Sequence, residues 1–198
     1  MKKYKLTDQN MRTHNGFQWE LGKEVITDGD SKKLCTKHWL HYYHHPLLAV
    51  LLNPIHANID NPRLFEAKAL GKHLDDKGLK GGCTKMTLVK EIELSEITLN
   101  QKTAFGILCS LEVYKEKGFV KWANNWLSGV DRTAAAAAAY AAADAAADAA
   151  AAAAAHYAAD AARYAAAHYA AAAYYYVAAR YAADIDLIKL AKKALEYK

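Results

Sequence analysis

An alanine tract dominates the second half of the chain and restricts what that half can fold into. Between Ala134 and Ala183, 34 of the 50 residues are alanine, and nearly all the others are tyrosine, aspartate, arginine or histidine. The tract has no glycine or proline, and alanine is the strongest helix former, so residue propensity favours helix. One helix from Thr133 to Tyr197 would be about 100 Å long. We therefore expect helices that fold back into an alanine-rich bundle or hairpin.

The composition changes abruptly near Thr133, which predicts two domains, residues 1–130 and 131–198. All ten glycines, all three prolines and all four tryptophans precede the change, whereas nine of the thirteen tyrosines follow it. Residues 1–132 contain 20 Lys and Arg against 15 Asp and Glu, and residues 133–198 contain six of each. The net charge of +5 therefore belongs to the first domain. A charge of this size keeps a small domain soluble, and it is also compatible with an acidic partner.

The first domain shows strand patterns before helix patterns, which predicts an α+β fold with a small mixed or antiparallel sheet and short helices. Alternating apolar and polar residues predict the strands, at residues 2–7, 16–27, 34–43, 63–70 and 84–94. Helical spacing of apolar residues predicts the helices, at residues 46–52, 100–117 and 119–128. Pro46 begins the first of these helices, and Asn53 with Pro54 is expected to end it.

Cys35, His38 and His41 are the candidate metal ligands. On a helix, their three-residue spacing would place them on one face, as a zinc site requires. The aromatic residues around them favour an extended chain instead, in which His38 and His41 point to opposite faces. We therefore expect no metal and no other cofactor here, with the aromatic rings in the core and the histidines at its rim.

Lysines around a glycine-rich segment are the candidate contacts for nucleic-acid phosphates, at Lys68, Lys72, Lys77, Lys80 and Lys85. No aromatic residues interleave with them, so a solvated loop is the first interpretation. The sequence also lacks the spacing of a nucleophile with its base and a glycine loop that opens a helix. We therefore assign no catalytic residue.

The tyrosines of the tract are the candidate partner-binding residues. Tyr174, Tyr175 and Tyr176 cover three directions around a helix, so at least one is expected at an interface, where tyrosine is a favoured anchor. Tyr164 and Tyr169 belong to the same set. Because alanine faces let helices approach closely, these helices could also join copies of the chain. Five-residue intervals among the tyrosines leave a β-helix as an alternative, although Val177 is the only β-branched residue of the tract.

The charges within the tract interrupt the longest apolar stretch, so we expect no membrane span. Three widely spaced cysteines do not form a disulfide pattern, which favours a reducing cytoplasm.

Four motifs in the first 95 residues carry a family resemblance. They are GFQWELGK at residues 16–23, LC…HYY..PLLAVLL at 34–52, RLFEAKALG at 63–71 and CTKMTLVKEIEL at 83–94. Together they resemble an uncharacterised domain of bacteriophage and prophage proteins, over about residues 4–95, whose members include proteins with low-complexity tails. Where that family has Gly-Phe-His, this chain has Trp39, Leu40 and His41, and Tyr43 replaces a second cysteine.

The resemblance implies a phage or prophage accessory protein in the cytoplasm of the bacterial host. With no catalytic pattern in the sequence, it favours binding, such as an anti-CRISPR-like, counter-defence inhibition of a host complex. A fainter similarity in the order of elements to ADP-ribosyltransferases leaves an active or degenerate transferase as one alternative. A nucleic-acid-binding or virion-associated structural protein is another.

Overall fold

The computed structural model describes residues 2–113, 115, 117–133 and 185–197. The chain divides into two compact units, Met1–Glu96 and Ile97–Lys198, so this division precedes the change in composition near Thr133. Strands and short helices form the first unit, and helices form the described part of the second, which confirms the α+β class. The predicted alanine-rich bundle lies outside the described residues.

The first unit contains seven strands, a 3-10 helix at His14–Gly16 and one α-helix, α1, at Pro46–His56. The strands are β1 (Lys2–Thr7), β2 (Arg12–Thr13), β3 (Phe17–Gln18), β4 (Glu24–Ile26), β5 (Leu40–Tyr42), β6 (Arg63–Asp75) and β7 (Gly81–Ile92). β2 and β3 form a separate two-stranded ribbon.

The long antiparallel hairpin β6–β7 organises the main sheet. β1 pairs with β6, while β4 and β5 pair with different parts of β7, and all these pairs are antiparallel. The sheet curls enough that Tyr4 and Tyr43 exchange two backbone hydrogen bonds of 3.0 and 2.8 Å. The segment at the end of β5 therefore contacts both β7 and β1, which closes this end of the sheet.

The register sorts the side chains onto two faces, because residues directly opposite each other in antiparallel strands point to the same side. Ala67 lies opposite Leu88, and Val25 lies opposite Met86, on the inward face. The core on this face is formed by Trp19, Leu40, Tyr42, Phe65, Ala67, Cys83, Met86 and Leu88. The alternate positions form the outward face of the sheet.

The prediction of one continuous strand at residues 16–27 is wrong, and the position of Trp19 shows why. Trp19 is buried, and its indole N–H donates to Oγ1 of Thr13 at 3.0 Å, whereas Phe17 and Leu21 are exposed. Gly22 has a φ of +77°, which breaks the extended chain before β4. The segment therefore places one large ring in the core instead of one apolar strand face.

The strand predicted at residues 34–43 is shorter in the structure, where Leu40–Tyr42 forms β5 and Tyr43 adds the bridge to Tyr4. Side chains ahead of it bond the local backbone instead, since Thr36 Oγ1 donates to the carbonyl of Lys33 and Ser31 Oγ accepts from the Lys33 N–H. Such local bonds offer the backbone an alternative to a sheet. The strand prediction therefore fails for residues 34–39.

The helix α1 begins at Pro46 as predicted, but it does not end at Asn53 and Pro54. Proline removes one backbone donor, and here it lies in the last turn, where that loss affects a single hydrogen bond. The Asn53 side chain instead bonds the backbone N–H and carbonyl of Ile59 beyond the helix, at 3.1 and 2.9 Å. The helix therefore continues to His56.

The described part of the second unit contains three helices, α2 (Leu99–Val113), α3 (Lys117–Leu127) and α4 (Leu187–Ala194). α2 contacts both of the others. Gln101 on α2 donates from its side chain to the carbonyl of Leu195 at 2.9 Å, and the Asp186 side chain caps α4. The buried faces of α3 and α4 consist of Phe119, Trp122, Ala123, Trp126, Leu187, Leu190, Ala191 and Ala194.

Met86 and Val89 provide a matched test of the two faces of β7. Met86 is 0% exposed in the core, whereas Val89 is 52% exposed. We expect Met86→Ala to lower the free energy of unfolding by about 2–5 kcal/mol through lost burial and a cavity. Val89→Ala should change it by less than about 1 kcal/mol. Equal losses in urea unfolding would contradict the assigned faces.

Candidate functional site

Two lysines of β1 point into the core face of the sheet. Lys3 lies opposite Ala67 and Lys5 lies opposite Phe65, so both occupy inward positions. Each residue is only 9% exposed. Burying an ammonium group is costly in free energy unless other groups bond to it, so the groups around these two lysines matter for the stability of the fold.

Lys5 is the deeper of the two. Its Nζ donates to the backbone carbonyl of His41 at 2.8 Å and lies 5.0 Å from the centre of the Trp19 ring. Among the described residues, no carboxylate lies within ion-pair distance of it. Burial lowers the pKa of Lys5 to about 8.

Lys3 begins a hydrogen-bonded chain that leads to solvent. Its ammonium donates to Nδ1 of His44 at 2.9 Å, and Nε2 of His44 donates to Asp75 at 2.5 Å. The bond from the lysine selects the tautomer in which His44 carries its proton on Nε2. Burial and the neighbouring Lys3 lower the pKa of His44, while Asp75 opposes this shift. Burial also lowers the pKa of Lys3.

Tyr42 and Cys83 complete the arrangement. The Tyr42 hydroxyl donates to Nδ1 of His73 at 3.1 Å, and Nζ of Lys3 lies 4.9 Å from the centre of its ring. Burial raises the pKa of Tyr42 to about 12 and that of Cys83 to about 11, so both are neutral near pH 7. Neither is therefore present as a charged nucleophile at that pH.

We call this set the inward cluster; it consists of Lys3, Lys5, Tyr42, His44, His73, Asp75 and Cys83. It extends from the buried Lys5 to the more exposed side chains of His73 and Asp75. Gly81 makes room for it, because a Cβ at this position would overlap the Tyr42 ring. The arrangement places positive charge and hydrogen-bond donors inside a curled sheet, which is chemistry suited to holding an anion.

The outward face carries a different surface. Lys2, Lys68, Thr87 and Glu24 form one row across β1, β6, β7 and β4. The next row consists of Leu70, Lys85 and Ile26. In this second row Ile26 is 60% exposed and Leu70 is 42% exposed. We call Ile26, Lys68, Leu70 and Lys85 the outward patch.

The charge of the outward patch is uncompensated within the part of the chain that the structure describes. Glu66 accepts from Lys2 at 3.2 Å and lies 3.6 Å from Lys90. Lys68 and Lys85 are exposed and have no carboxylate within ion-pair distance among these residues. The patch therefore combines aliphatic side chains with positive charge.

The structure brings together only some of the five lysines that the sequence suggested for nucleic acid. Lys68, Lys72 and Lys85 are exposed on the β6–β7 hairpin, while Lys77 and Lys80 belong to the turn that joins its strands. The solvated loop expected around these lysines is short, because β7 already begins at Gly81. The candidate contacts are thus spread over a strand surface and its turn.

The three candidate metal ligands have separate surroundings. Cys35 is exposed, Nδ1 of His38 donates to Asp28 at 2.7 Å, and Nε2 of His41 donates to the carbonyl of Leu34 at 2.6 Å. Among the residues that the structure describes, no three His, Cys, Asp or Glu side chains are grouped to hold a metal ion. The candidate tyrosines, Tyr164, Tyr169, Tyr174, Tyr175 and Tyr176, lie outside the described residues.

Sequence reasoning missed the inward cluster. One feature of β1 could have indicated it. In an extended strand Lys2 points to one face, and Lys3 and Lys5 point to the other. When a strand has lysines on both of its faces and one face is buried, at least one lysine must point toward the core. His44 and Asp75 gave no such signal, because 31 positions separate them along the chain and only the β5 and β6 pairings bring them together.

The first unit is thus a small α+β domain with a curled antiparallel sheet, a cationic interior cluster and an aliphatic–basic outer patch. A domain of unknown function (DUF7666) matches residues 1–100, which is 100 of the 198 residues and includes all of this unit. The chain belongs to this family. Comparisons with curated proteins and with solved structures found no match. Within the described residues, no helix is long and apolar enough to cross a membrane.

His41 and His56 predict a loss of stability in acid. Burial lowers the pKa of His41 to about 4 and that of His56 to about 3, so both stay neutral in the fold when the unfolded chain takes up protons near pH 6.5. The free energy of unfolding should fall as the pH decreases from 6.5 to 4, by about 2–3 kcal/mol for each imidazole. His56→Gln should reduce this dependence in urea unfolding at several pH values. An unchanged slope would contradict the assignment.

Lys5→Met tests, at alkaline pH, how much the buried ammonium of Lys5 destabilises the fold. The pKa of Lys5 is about 8 in the fold against an ordinary value of 10.5, so the unfolded state binds more protons between these limits. Wild-type stability should therefore rise relative to Lys5→Met as the pH increases from 8 to 10.5, by up to about 3 kcal/mol. Comparing the two proteins at each pH cancels groups that they share. A constant difference would show that burial does not disfavour the Lys5 charge.

Proposed function

We propose that this protein is a phage or prophage accessory protein that binds a host protein in the bacterial cytoplasm and inhibits the complex to which that protein belongs. The outward patch is the observation that carries the binding proposal. The phage setting and the counter-defence role rest on the sequence resemblance of residues 4–95.

The composition of the outward patch suits an acidic protein surface. Ile26 and Leu70 offer exposed aliphatic area, and Lys68 and Lys85 add positive charge beside it. Protein interfaces combine an apolar centre with polar groups at the rim, and complementary charge speeds and orients the encounter. A partner with carboxylates around a small apolar patch would match both features.

A protein partner fits this patch better than nucleic acid does. Single-stranded nucleic acid is usually held by aromatic rings that stack on bases together with a basic groove. The outward patch has lysines, but its exposed apolar side chains, Ile26 and Leu70, are aliphatic. Its lysines could contact phosphates, so nucleic acid is the alternative outcome that the experiment must detect.

Leu70→Glu and Lys85→Glu should each strongly weaken partner capture. Each places a negative charge in the outward patch, where it would be buried against an acidic partner and repel it. We expect capture from lysate of an infected bacterial host to fall by at least about tenfold. The measurement is quantitative mass spectrometry of proteins that co-purify with the tagged full-length chain.

Val130→Glu is the matched control, because Val130 is 75% exposed but belongs to the second unit. It should capture the same proteins as the wild type. Nuclease treatment separates the alternative: capture that disappears with nuclease, and weakens steeply with salt, would point to nucleic acid and contradict the protein proposal. Equal capture by wild type and Leu70→Glu would also contradict it. Inhibition is then tested by adding the wild type and Leu70→Glu to the captured complex.

A further inference from the structure

We propose that the inward cluster is a binding site for a small oxyanion, a phosphate or carboxylate group, with Lys3 as its direct cationic contact and Lys5 as a second positive charge behind it. This site lies on the opposite side of the sheet from the outward patch, so it is independent of the proposed function.

The charge balance of the inward cluster favours an anion. Lys3 and Lys5 are two residues apart on β1 and point to the same side, so two amino groups share one interior. Asp75 is the carboxylate of the cluster, and it already accepts the Nε2 proton of His44. Counted over its own side chains, the cluster has two amino groups and one carboxylate, so it attracts an oxyanion more than it repels one.

The hydrogen-bonding groups around Lys3 also suit oxyanion oxygens. The Lys3 amino group has three donors, the Tyr42 hydroxyl can rotate, and His73 is exposed beside it. Charge-assisted hydrogen bonds of this kind are stronger than neutral ones. The same groups disfavour a metal cation, since amino groups that carry protons offer no lone pair and repel positive charge.

One end of the cluster reaches the surface of the protein. Asp75 has 46% of its side chain exposed, and His44 has 24% exposed. The aromatic rings of Tyr42, His44 and His73 pack edge-on at 5.4 and 6.1 Å around this end. An oxyanion that reaches Lys3 therefore meets a partly dry environment, where charge interactions are stronger than in water.

The test is titration of the full-length chain with inorganic phosphate and, separately, with acetate, at constant ionic strength maintained with sodium chloride. Binding to the native state should raise the thermal midpoint with oxyanion concentration. Lys3→Met and Lys5→Met should weaken this binding by at least about tenfold, as expected for loss of a buried charge partner. A rise with phosphate alone identifies a phosphate group as the ligand, and a rise with both identifies a general oxyanion site.

Lys68→Met is the matched control, because Lys68 is exposed on the outward side of the same sheet. It should retain the wild-type response. Equal weakening in Lys68→Met would mean that surface lysines bind the anion, and the proposal would be wrong. Absence of any response beyond that to chloride in the wild type would overturn it as well.

A measurement on the wild type alone keeps the proposal testable if a methionine variant does not fold. Phosphate should shift the imidazole NMR signals of His44 and His73, which belong to the cluster, and leave those of His38 in place. His38 is bonded to Asp28, outside the cluster. Shifts at His38 without shifts at His44 would contradict the site. Lys3→Arg and Lys5→Arg retain the charge and should retain binding.

Discussion

The pairing of β6 with β7 is the constraint on which the first unit depends. These strands have 13 and 12 residues, and every other strand of the main sheet attaches to one of them. Register shifts after Glu66 and after Leu70 bend the pair. Bulges increase local twist and curvature. This curvature is what lets the end of β5 reach β1 and encloses the interior in which the two lysines lie.

The same register places lysines of the sheet in two different environments, one solvated and one buried. Lys68 lies one strand away from Lys3, but it points outward, where water solvates its charge. Lys3 and Lys5 point inward, where burial lowers their pKa. A slip of one residue in β1 would exchange the two sets of side chains. The carbonyl of His41 and the ring of Trp19 compensate part of the cost for Lys5, and they hold β1 in this register.

The sequence predicted the fold class and the element types because they follow from local alternation and helix signals. The strands at residues 2–7, 63–70 and 84–94 and the start of α1 at Pro46 are of this kind. Prediction from the sequence failed where tertiary contacts determine the local structure, as at residues 16–27, where only the ring of Trp19 is buried. The inward cluster required the pairing of β1 with β6 and of β5 with β7, which no local pattern encodes. The outward patch depends on the same pairings; from the sequence, Lys68 and Lys85 are candidates for nucleic-acid contacts only, and Ile26 and Leu70 are not candidates.

The pKa shifts narrow the chemistry that this interior can perform near neutral pH. Burial keeps Cys83 and Tyr42 protonated and His41 uncharged, so these groups are moved away from reactive or charged forms. The amino group of Lys5, with a pKa of about 8, retains its proton over most of that range. Catalytic sites commonly shift such groups toward the pH at which they work. Here the pKa of Lys5 is shifted toward neutral pH, whereas those of Cys83, Tyr42 and His41 are shifted away from it, so the interior holds a protonated amino group among neutral side chains.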